Sequence, residues 1–192
     1  SIGTLALKNN VPQVYTLVTH LSKIMRYGMN IDEDLVPLTK EIEYTKAFLL
    51  LQKERFGDQF DYSLQFDEEV LSIEIPKMIL QPIIENYFKH GFDSSDETIG
   101  QLMIKGKKES DQLVITIHDN GKGMSEHRLN EIYQSFGKEK QKVDTDRTNI
   151  GLRNVHFRLK LYFDGRANFH IQNHKDGGLL VILRLPIETG GE

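Results

Sequence analysis

The chain is predicted to be an α+β domain with a helical preface, and three observations predict it. The first 57 residues carry apolar side chains at helical spacing, the period drops to two at residue 60, and from there strands and helices are mixed. The order of the strands does not follow from these patterns.

At 192 residues and 39% hydrophobic content, there is apolar material for an ordinary domain plus a smaller one. A net charge of −4 argues against a general nucleic-acid surface, so no nucleic-acid partner is expected. The absence of cysteine excludes a disulfide framework and thiolate metal sites, and it is compatible with a reducing cytoplasm. No apolar run approaches the roughly 18 residues a membrane span requires, and no signal peptide is recognisable. These residues are therefore expected to make no membrane contact. The chain opens on Ser1-Ile2-Gly3 without Met and reads as starting inside an element, as expected of part of a longer protein.

The preface comes first. Val14, Leu17, Val18, Leu21, Ile24 and Met25 form a helical stripe across residues 11–27. Residues 28–34 are a polar break. A second helix is expected after Pro37 from Leu38, Ile42, Thr45, Leu49, Gln52 and Phe56, with Tyr44, Phe48 and Leu51 widening its apolar face. Gly57-Asp58 ends it, and Arg55 in the last turn suits the helix dipole. The short link predicts an antiparallel pair.

Phe60, Tyr62, Leu64 and Phe66 alternate as a strand, Asp67-Glu68-Glu69 turns the chain, and residues 70–75 read as a short second strand. Residues 76–91 read as a helix with Pro76 at its first position. Pro82 then has to kink it or shift its start. Residues 102–107 and 112–118 form a hairpin-like pair around Glu109-Ser110-Asp111. Ser125 caps a helix running to about Ser135. Residues 137–149 are polar apart from Val143 and long enough for either a functional lid or a disordered segment. Leu152, Val155, Leu159 and Tyr162 mark a helix ending at Asp164-Gly165, and residues 168–173 and 179–185 close the chain as strands around Asp176-Gly177-Gly178.

Three constellations carry chemistry. Asp119-Asn120-Gly121-Lys122-Gly123-Met124 follows the alternating run Leu113-Val114-Ile115-Thr116-Ile117-His118. A carboxylate delivered by a strand onto two glycines can accept from a purine's exocyclic amine while the backbone approaches the ring. The plain alternative is an Asn-Gly hairpin turn, but a helical pattern rather than a strand follows it. Asn86 sits mid-helix, where Asn is a poor helix former. It is either a self-satisfied amide or a hard oxygen ligand for Mg2+, with Glu85 beside it to polarise a hydroxyl or help hold the metal. Lys89 and His90 fall near the same helical face, as phosphate contacts or as dipole complements. Ile150-Gly151-Leu152 opens a helix whose free N–H groups make an anion site or a simple loop junction. Lys138, Lys140, Lys142 and Arg147 ahead of it either close over a polyphosphate or solvate a loop. The histidines contain no metal set, and no hydrolase triad has support. Taken together, the three constellations suggest an ATP site.

These residues resemble a known family. Leu80-Gln81-Pro82-Ile83-Ile84-Glu85-Asn86-Tyr87-Phe88-Lys89-His90-Gly91 is similar to the N box of sensor histidine kinases of the LytS/YesM type. The Asp119 loop is similar to their G1 box, and Asn149-Ile150-Gly151-Leu152-Arg153-Asn154-Val155-His156-Phe157-Arg158-Leu159 to their G2 box. Arg26-Tyr27, Val36-Pro37-Leu38, Glu41-Ile42-Glu43-Tyr44 and Arg55-Phe56-Gly57-Asp58 match the helical and linker segments in order.

The resemblance implies a two-layer α/β sandwich, a mixed sheet packed on helices, binding ATP at residues 58–192. Residues 1–57 would be the remainder of the dimerisation and phosphoacceptor region. By position it implies that Asn86 holds Mg2+, that Asp119 reads adenine, that Gly121, Gly123 and Met124 line the purine pocket, and that Ile150, Gly151 and Leu152 face the phosphates with Lys89 and His90. It implies a cytoplasmic kinase region of a membrane-anchored homodimer, passing phosphate to a response regulator. Two departures stand out. The Pro-His motif followed by Phe-Leu-Phe-Asn is absent, so the substrate histidine is expected upstream. Asn149 also replaces a customary Gly, which Asn tolerates best if positive φ is needed. The competing readings are a gyrase-like ATPase acting as a conformational switch and a non-catalytic partner-binding module. The first is disfavoured because Pro82 stands where that branch has its acid, four residues before Asn86.

Overall fold

The computed structural model describes residues 2–29, 34–95, 97–137 and 150–187. The helical preface contains one element more than the periodicity shows. A short helix α1 (Ile2–Lys8) precedes α2 (Pro12–Met29), and α3 (Leu38–Phe56) follows. Seven residues with one turn of apolar spacing do not stand out as a helix in sequence. The α2–α3 pair is antiparallel: Tyr27 packs on Tyr44 with ring centroids 4.8 Å apart, while His20 lies within electrostatic range of Lys46 and Glu54.

Two expectations around residue 75 are corrected. Residues 70–75 are not a strand. Glu68–Val70 is a 3-10 turn, and only β3 (Glu74–Pro76) is extended, pairing antiparallel with β1 (Leu35–Pro37). Nor does a helix start at Pro76. The chain turns at residues 77–80, and α4 is Gln81–Asn86, so Pro82 lies in the first turn, where its missing N–H costs nothing. Of the two outcomes Pro82 allowed, the shifted start is the one realised. The helix then widens into a π turn, Tyr87–Gly91, closed by the Phe92 N–H on the Tyr87 carbonyl at 2.8 Å.

The main sheet has the order β2-β4-β5-β7-β6, formed by β2 (Phe60–Phe66), β4 (Gly100–Glu109), β5 (Gln112–Asp119), β6 (Asn168–Asn173) and β7 (Leu179–Pro186). The β2–β4 pair is parallel and the other three pairs are antiparallel. Alternation puts one side of each strand inward: Leu102 and Ile104, Leu113, Ile115 and Ile117, Val181, Leu183 and Leu185, Phe169 and Ile171 are all buried. Helices cover that face with Ile83, Ile84 and Tyr87 of the α4 segment, Ile132 and Phe136 of α5 (Glu126–Gly137), and Leu152, Val155 and Leu159 of α6 (Ile150–Tyr162). This is a two-layer α/β sandwich. Each such aliphatic side chain, fully buried, contributes about 1.5–3 kcal/mol. Leu38 and Leu49 of α3 share the core, and Phe56, Phe60, Phe88 and Phe92 interlock where α3 meets the π turn, with Phe56–Phe92 at 4.7 Å and Phe60–Phe88 at 5.0 Å. Of the expected lid at residues 137–149, Gly137 ends α5, and residues 138–149, with Lys138, Lys140, Lys142, Arg147 and Asn149, lie outside the described residues.

Candidate functional site

Asp119 ends β5 and is buried, with 7% of its surface exposed. Its Oδ1 accepts two backbone hydrogen bonds, from Gly121 N at 2.9 Å and Leu179 N at 3.2 Å. That fixes the carboxylate and leaves Oδ2 to meet a donor from a ligand. Burial pushes the carboxyl above its ordinary range, against the opposing pull of those two N–H groups and of His118. A buried acceptor-only group whose second oxygen has no donor among the described residues suits an amine that brings its own proton.

The loop after Asp119 is shaped by backbone contact. A Cβ on Gly121 would lie 2.6 Å from the Gly91 carbonyl oxygen and 2.8 Å from its Cα, so only glycine lets this loop touch the end of the π turn. Lys122 N donates to the same Gly91 oxygen at 3.2 Å. Gly123 has φ +65° and leads into Met124, which Asn173 of β6 holds on both sides: Asn173 Oδ1 accepts from Met124 N at 2.8 Å and Nδ2 donates to Met124 O at 2.7 Å. The Asn120 side chain is tied back to the neighbouring chain segment. Its amide bridges to β4, taking Gln101 N at 2.7 Å and giving to Ile99 O at 2.8 Å. The Asp119 loop is thus no hairpin turn, since Ser125 Oγ caps α5 directly behind it by accepting from Arg128 N.

Asn173 and Gly178 are parts of this site that the sequence reading missed. Gly178 has φ +78°, and a Cβ there would sit 1.8 Å from the Asp119 carbonyl oxygen. The signal that could have found it was the Gly177-Gly178 pair, two residues where one suffices for a tight turn.

Asn86 closes α4, half-buried, and among the described residues its side chain has no hydrogen-bond partner. Glu85 beside it is engaged. Its Oε1 accepts from Gln81 Nε2 at 2.9 Å and its Oε2 pairs with Lys89 Nζ at 2.9 Å. Burial raises the Glu85 carboxyl, but those two bonds outweigh it and hold the group below its ordinary range. Lys89 therefore rests on Glu85, and both Lys89 and His90 are exposed on the π turn. The α-helical spacing from which they were expected to share the Asn86 face does not apply across that turn.

Gly151 stands in the first turn of α6, where a Cβ would come 3.2 Å from the Pro82 Cβ. Pro82 lies one turn before Asn86, so α6 approaches α4 on the face that carries Asn86. Ile150 is exposed, and the N–H groups of this first turn have no intrahelical partner. The Leu152 side chain is in the core, so its contribution to a ligand is confined to its backbone. The structure brings Asp119, Gly121, Gly123 and Met124 into one loop against Gly91, and it packs α4 against α6 through Pro82 and Gly151.

Comparison with known proteins bears on the family and the fold. Residues 73–189 match the family of histidine kinase-, DNA gyrase B-, and HSP90-like ATPases, and residues 1–60 match the Histidine kinase family. The chain belongs to the first of these families, and the second match lies directly ahead of it. It is 31% identical over 175 residues to the sensor protein kinase HptS of Staphylococcus aureus, covering 91% of this chain and 32% of that protein. The chain therefore spans about a third of the length of the curated relatives it matches. In fold it is similar to the catalytic domain of histidine kinase ThkA (TM-score 0.57, 14% identity, 81% of this chain and 99% of that one). It is also similar to the histidine kinase AdeS of Acinetobacter baumannii (TM-score 0.54, 13% identity, 97% and 84%). No described helix is long and apolar enough to cross a membrane.

Proposed function

We propose that this chain binds Mg-ATP and presents its γ-phosphate to a histidine supplied from outside these 192 residues, as the catalytic part of a homodimeric two-component kinase that then serves a response regulator. The observation that carries the reading is Asp119: a buried carboxylate with one oxygen fixed by two N–H groups and the other left for the adenine amine. Gly121 and Gly123 bring the loop backbone against the purine, and Met124, partly buried against the core, lies on its edge. The N–H groups of Ile150, Gly151 and Leu152 take phosphate oxygens, and Lys89 reaches them by leaving Glu85, with His90 at the rim.

A Mg2+ ion fits Asn86. The ligand type is a hard oxygen, the amide is without a partner among the described residues, and no cluster of three acidic or histidine ligands is found among them. That suits a cation held mostly by phosphate and water. Bound there, the ion would supply charge neutralisation for the β- and γ-phosphates. The chain's own task is positioning: an acceptor imidazole nitrogen bonds to the γ-phosphorus as the bond to the bridging oxygen breaks, and ADP leaves. Glu85 is placed to orient the acceptor or to help hold the ion. His20, the histidine of the preface, has its Nδ1 buried, which closes that nitrogen to a phosphate. The exposed residues Leu21, Met25 and Met29 of α2 support dimerisation, and in the longer protein this is a cytoplasmic kinase region tethered to a membrane by the rest of the chain.

Calorimetric titration of Mg-ATP, repeated with Asp119→Ala, tests the reading. Binding that is absent in the wild type, or unchanged in the variant, would sink it and leave a partner-binding module. Acid-labile phosphate on a longer chain with its histidine separates a kinase from a gyrase-like ATPase.

A further inference from the structure

The turn that leads into α4 is held from three directions. Glu41 of α3 is fully buried, and its carboxylate accepts from Met78 N at 2.6 Å through Oε1 and from Leu80 N at 3.2 Å through Oε2. Arg158 of α6 donates to the Lys77 carbonyl. From α2, the Tyr27 hydroxyl donates to Glu41 Oε1, and Lys77 Nζ lies 4.6 Å above the Tyr27 ring. Met78 itself has φ +62°, a conformation a non-glycine residue seldom adopts and which must be imposed by its surroundings.

Leu80 is the residue ahead of α4, and no side chain caps it locally. The distant Glu41 carboxylate takes the N–H of Leu80 itself, the bond that the acid of a capping box makes back to the N-cap residue, at the positive end of the helix dipole. Asn86 follows six residues later, about 9 Å along the axis at 1.5 Å per residue. A shift of the Met78–Leu80 backbone is therefore passed along one short rigid helix to the Asn86 amide. Metal-ligating groups tolerate only about 0.5 Å of such displacement.

We propose that Glu41 is a positioning residue for Asn86, and that the Tyr27 hydroxyl on its Oε1 makes this positioning depend on where α2 lies. The inference rests on the nucleotide-site reading above. Helix α2 has no buried residue, and its Leu21, Met25 and Met29 are exposed, so it is not locked into the core. Tyr27 is where it reaches the interior, stacked on Tyr44 and bonded to Glu41. Rotating or sliding α2 takes the hydroxyl off Oε1 and leaves the Met78–Leu80 turn with a carboxylate that has lost one of its fixed donors. Burial pushes the Glu41 carboxyl up, and the Tyr27 hydroxyl together with the backbone N–H groups opposes that push. Losing the hydroxyl thus loosens the acceptor itself as well as its orientation.

The test uses Tyr27→Phe and Glu41→Gln, with the ATP dissociation constant measured by calorimetry in excess Mg2+ and again in EDTA. The ratio of the two constants reports on the Asn86 end of the site, and the EDTA value reports on the Asp119 end. The ratio is expected to shrink roughly threefold in Tyr27→Phe and about tenfold in Glu41→Gln, where an amide N–H2 must face a backbone N–H. The EDTA constants should stay within about twofold of wild type. A Tyr27→Phe protein that melts earlier but keeps the wild-type ratio overturns the proposal, as does one in which both constants weaken together. Should Glu41→Gln fail to fold, Tyr27→Phe decides alone. A wild-type chain that binds no ATP fells the nucleotide reading and this inference with it, whereas normal binding with an unmoved ratio fells only the inference.

Discussion

Asp119→Asn isolates what one oxygen does. The amide has the shape of the carboxylate, and its Oδ1 can keep both backbone bonds, from Gly121 N at 2.9 Å and Leu179 N at 3.2 Å. The change is then confined to the position of Oδ2, where an acceptor becomes an N–H2 donor at the place proposed for the adenine amine. Losing a charge-assisted bond of this kind costs about 1.5–3 kcal/mol, which is roughly a 10- to 150-fold loss in ATP affinity. Stability should move the other way. Burial raises the Asp119 pKa in the folded protein above its unfolded value, so its contribution to stability is complete below the unfolded pKa and is lost as pH rises through the folded one. A non-titrating amide escapes that loss, so the variant should melt no lower than wild type at pH 7, and the advantage should vanish in acid. Calorimetry with ATP and with inosine triphosphate, whose ring carries an oxygen in place of the amine, reads the effect: the variant should lose ATP while holding or gaining the inosine nucleotide. Equal losses for both nucleotides, or unchanged ATP affinity in a folded variant, would refute the assignment of Oδ2 to the amine.

Other outcomes follow from the same geometry. Gly178→Ala places a methyl 1.8 Å from the Asp119 carbonyl oxygen at φ +78°, whereas Gly177→Ala at φ +97° meets nothing within 4 Å. Both pay about 1–2 kcal/mol for the backbone conformation, but only the first must also push β5 and the turn apart, at about 1–3 kcal/mol more. Its melting temperature should fall visibly further in a thermal scan. Asn173→Ala removes both bonds on the Met124 backbone, and it should weaken ATP binding roughly tenfold by calorimetry, with a modest drop in stability. Lys89→Ala leaves Glu85 with the Gln81 bond alone. Because the Glu85 pKa is depressed, its stabilisation is present above the unfolded pKa and lost as pH falls through the folded one. Acid melting curves of wild type and variant should therefore converge at low pH, with a gap of under about 1 kcal/mol near neutrality for so exposed a pair.

Much of the fold was legible because its elements are long enough to show a period. The alternation in β2, β4, β5, β6 and β7 and the apolar spacing in α3, α5 and α6 each fix an inward face locally. Elements of three residues have no period to read. The β1–β3 pair exists because Leu35 finds Pro76 across some forty residues of chain, and the strand expected at residues 70–75 shrank to Glu74–Pro76 for the same reason. The π turn was invisible because nothing in Tyr87-Phe88-Lys89-His90-Gly91 disfavours an ordinary helix. The wider turn coincides with Phe88 and Phe92 both packing on the Phe56–Phe60 pair. At the site, Asp119, Gly121 and Gly123 announced themselves as a strand-borne acid on glycines. Asn173 did not, since an Asn at a strand end is unremarkable until its partner, 49 residues earlier, is known.

The same distinction orders the site's physics. The candidate groups lie in three short segments, and the groups that hold them in place come from far away: Leu179 for Asp119, Asn173 for Met124, Gly91 for Lys122, and Glu41 for the entry to the Asn86 helix. Each of these long bonds ties the candidate site to a different element, β7, β6, the π turn and α3. Among the described residues, the last of them continues outward, through Tyr27, to a helix with no buried residue. A displacement of α2 can therefore reach Asn86 without passing through Asp119, which is why the metal-dependent and metal-independent parts of ATP affinity should separate under mutation of Tyr27 and should not separate under mutation of Asn173.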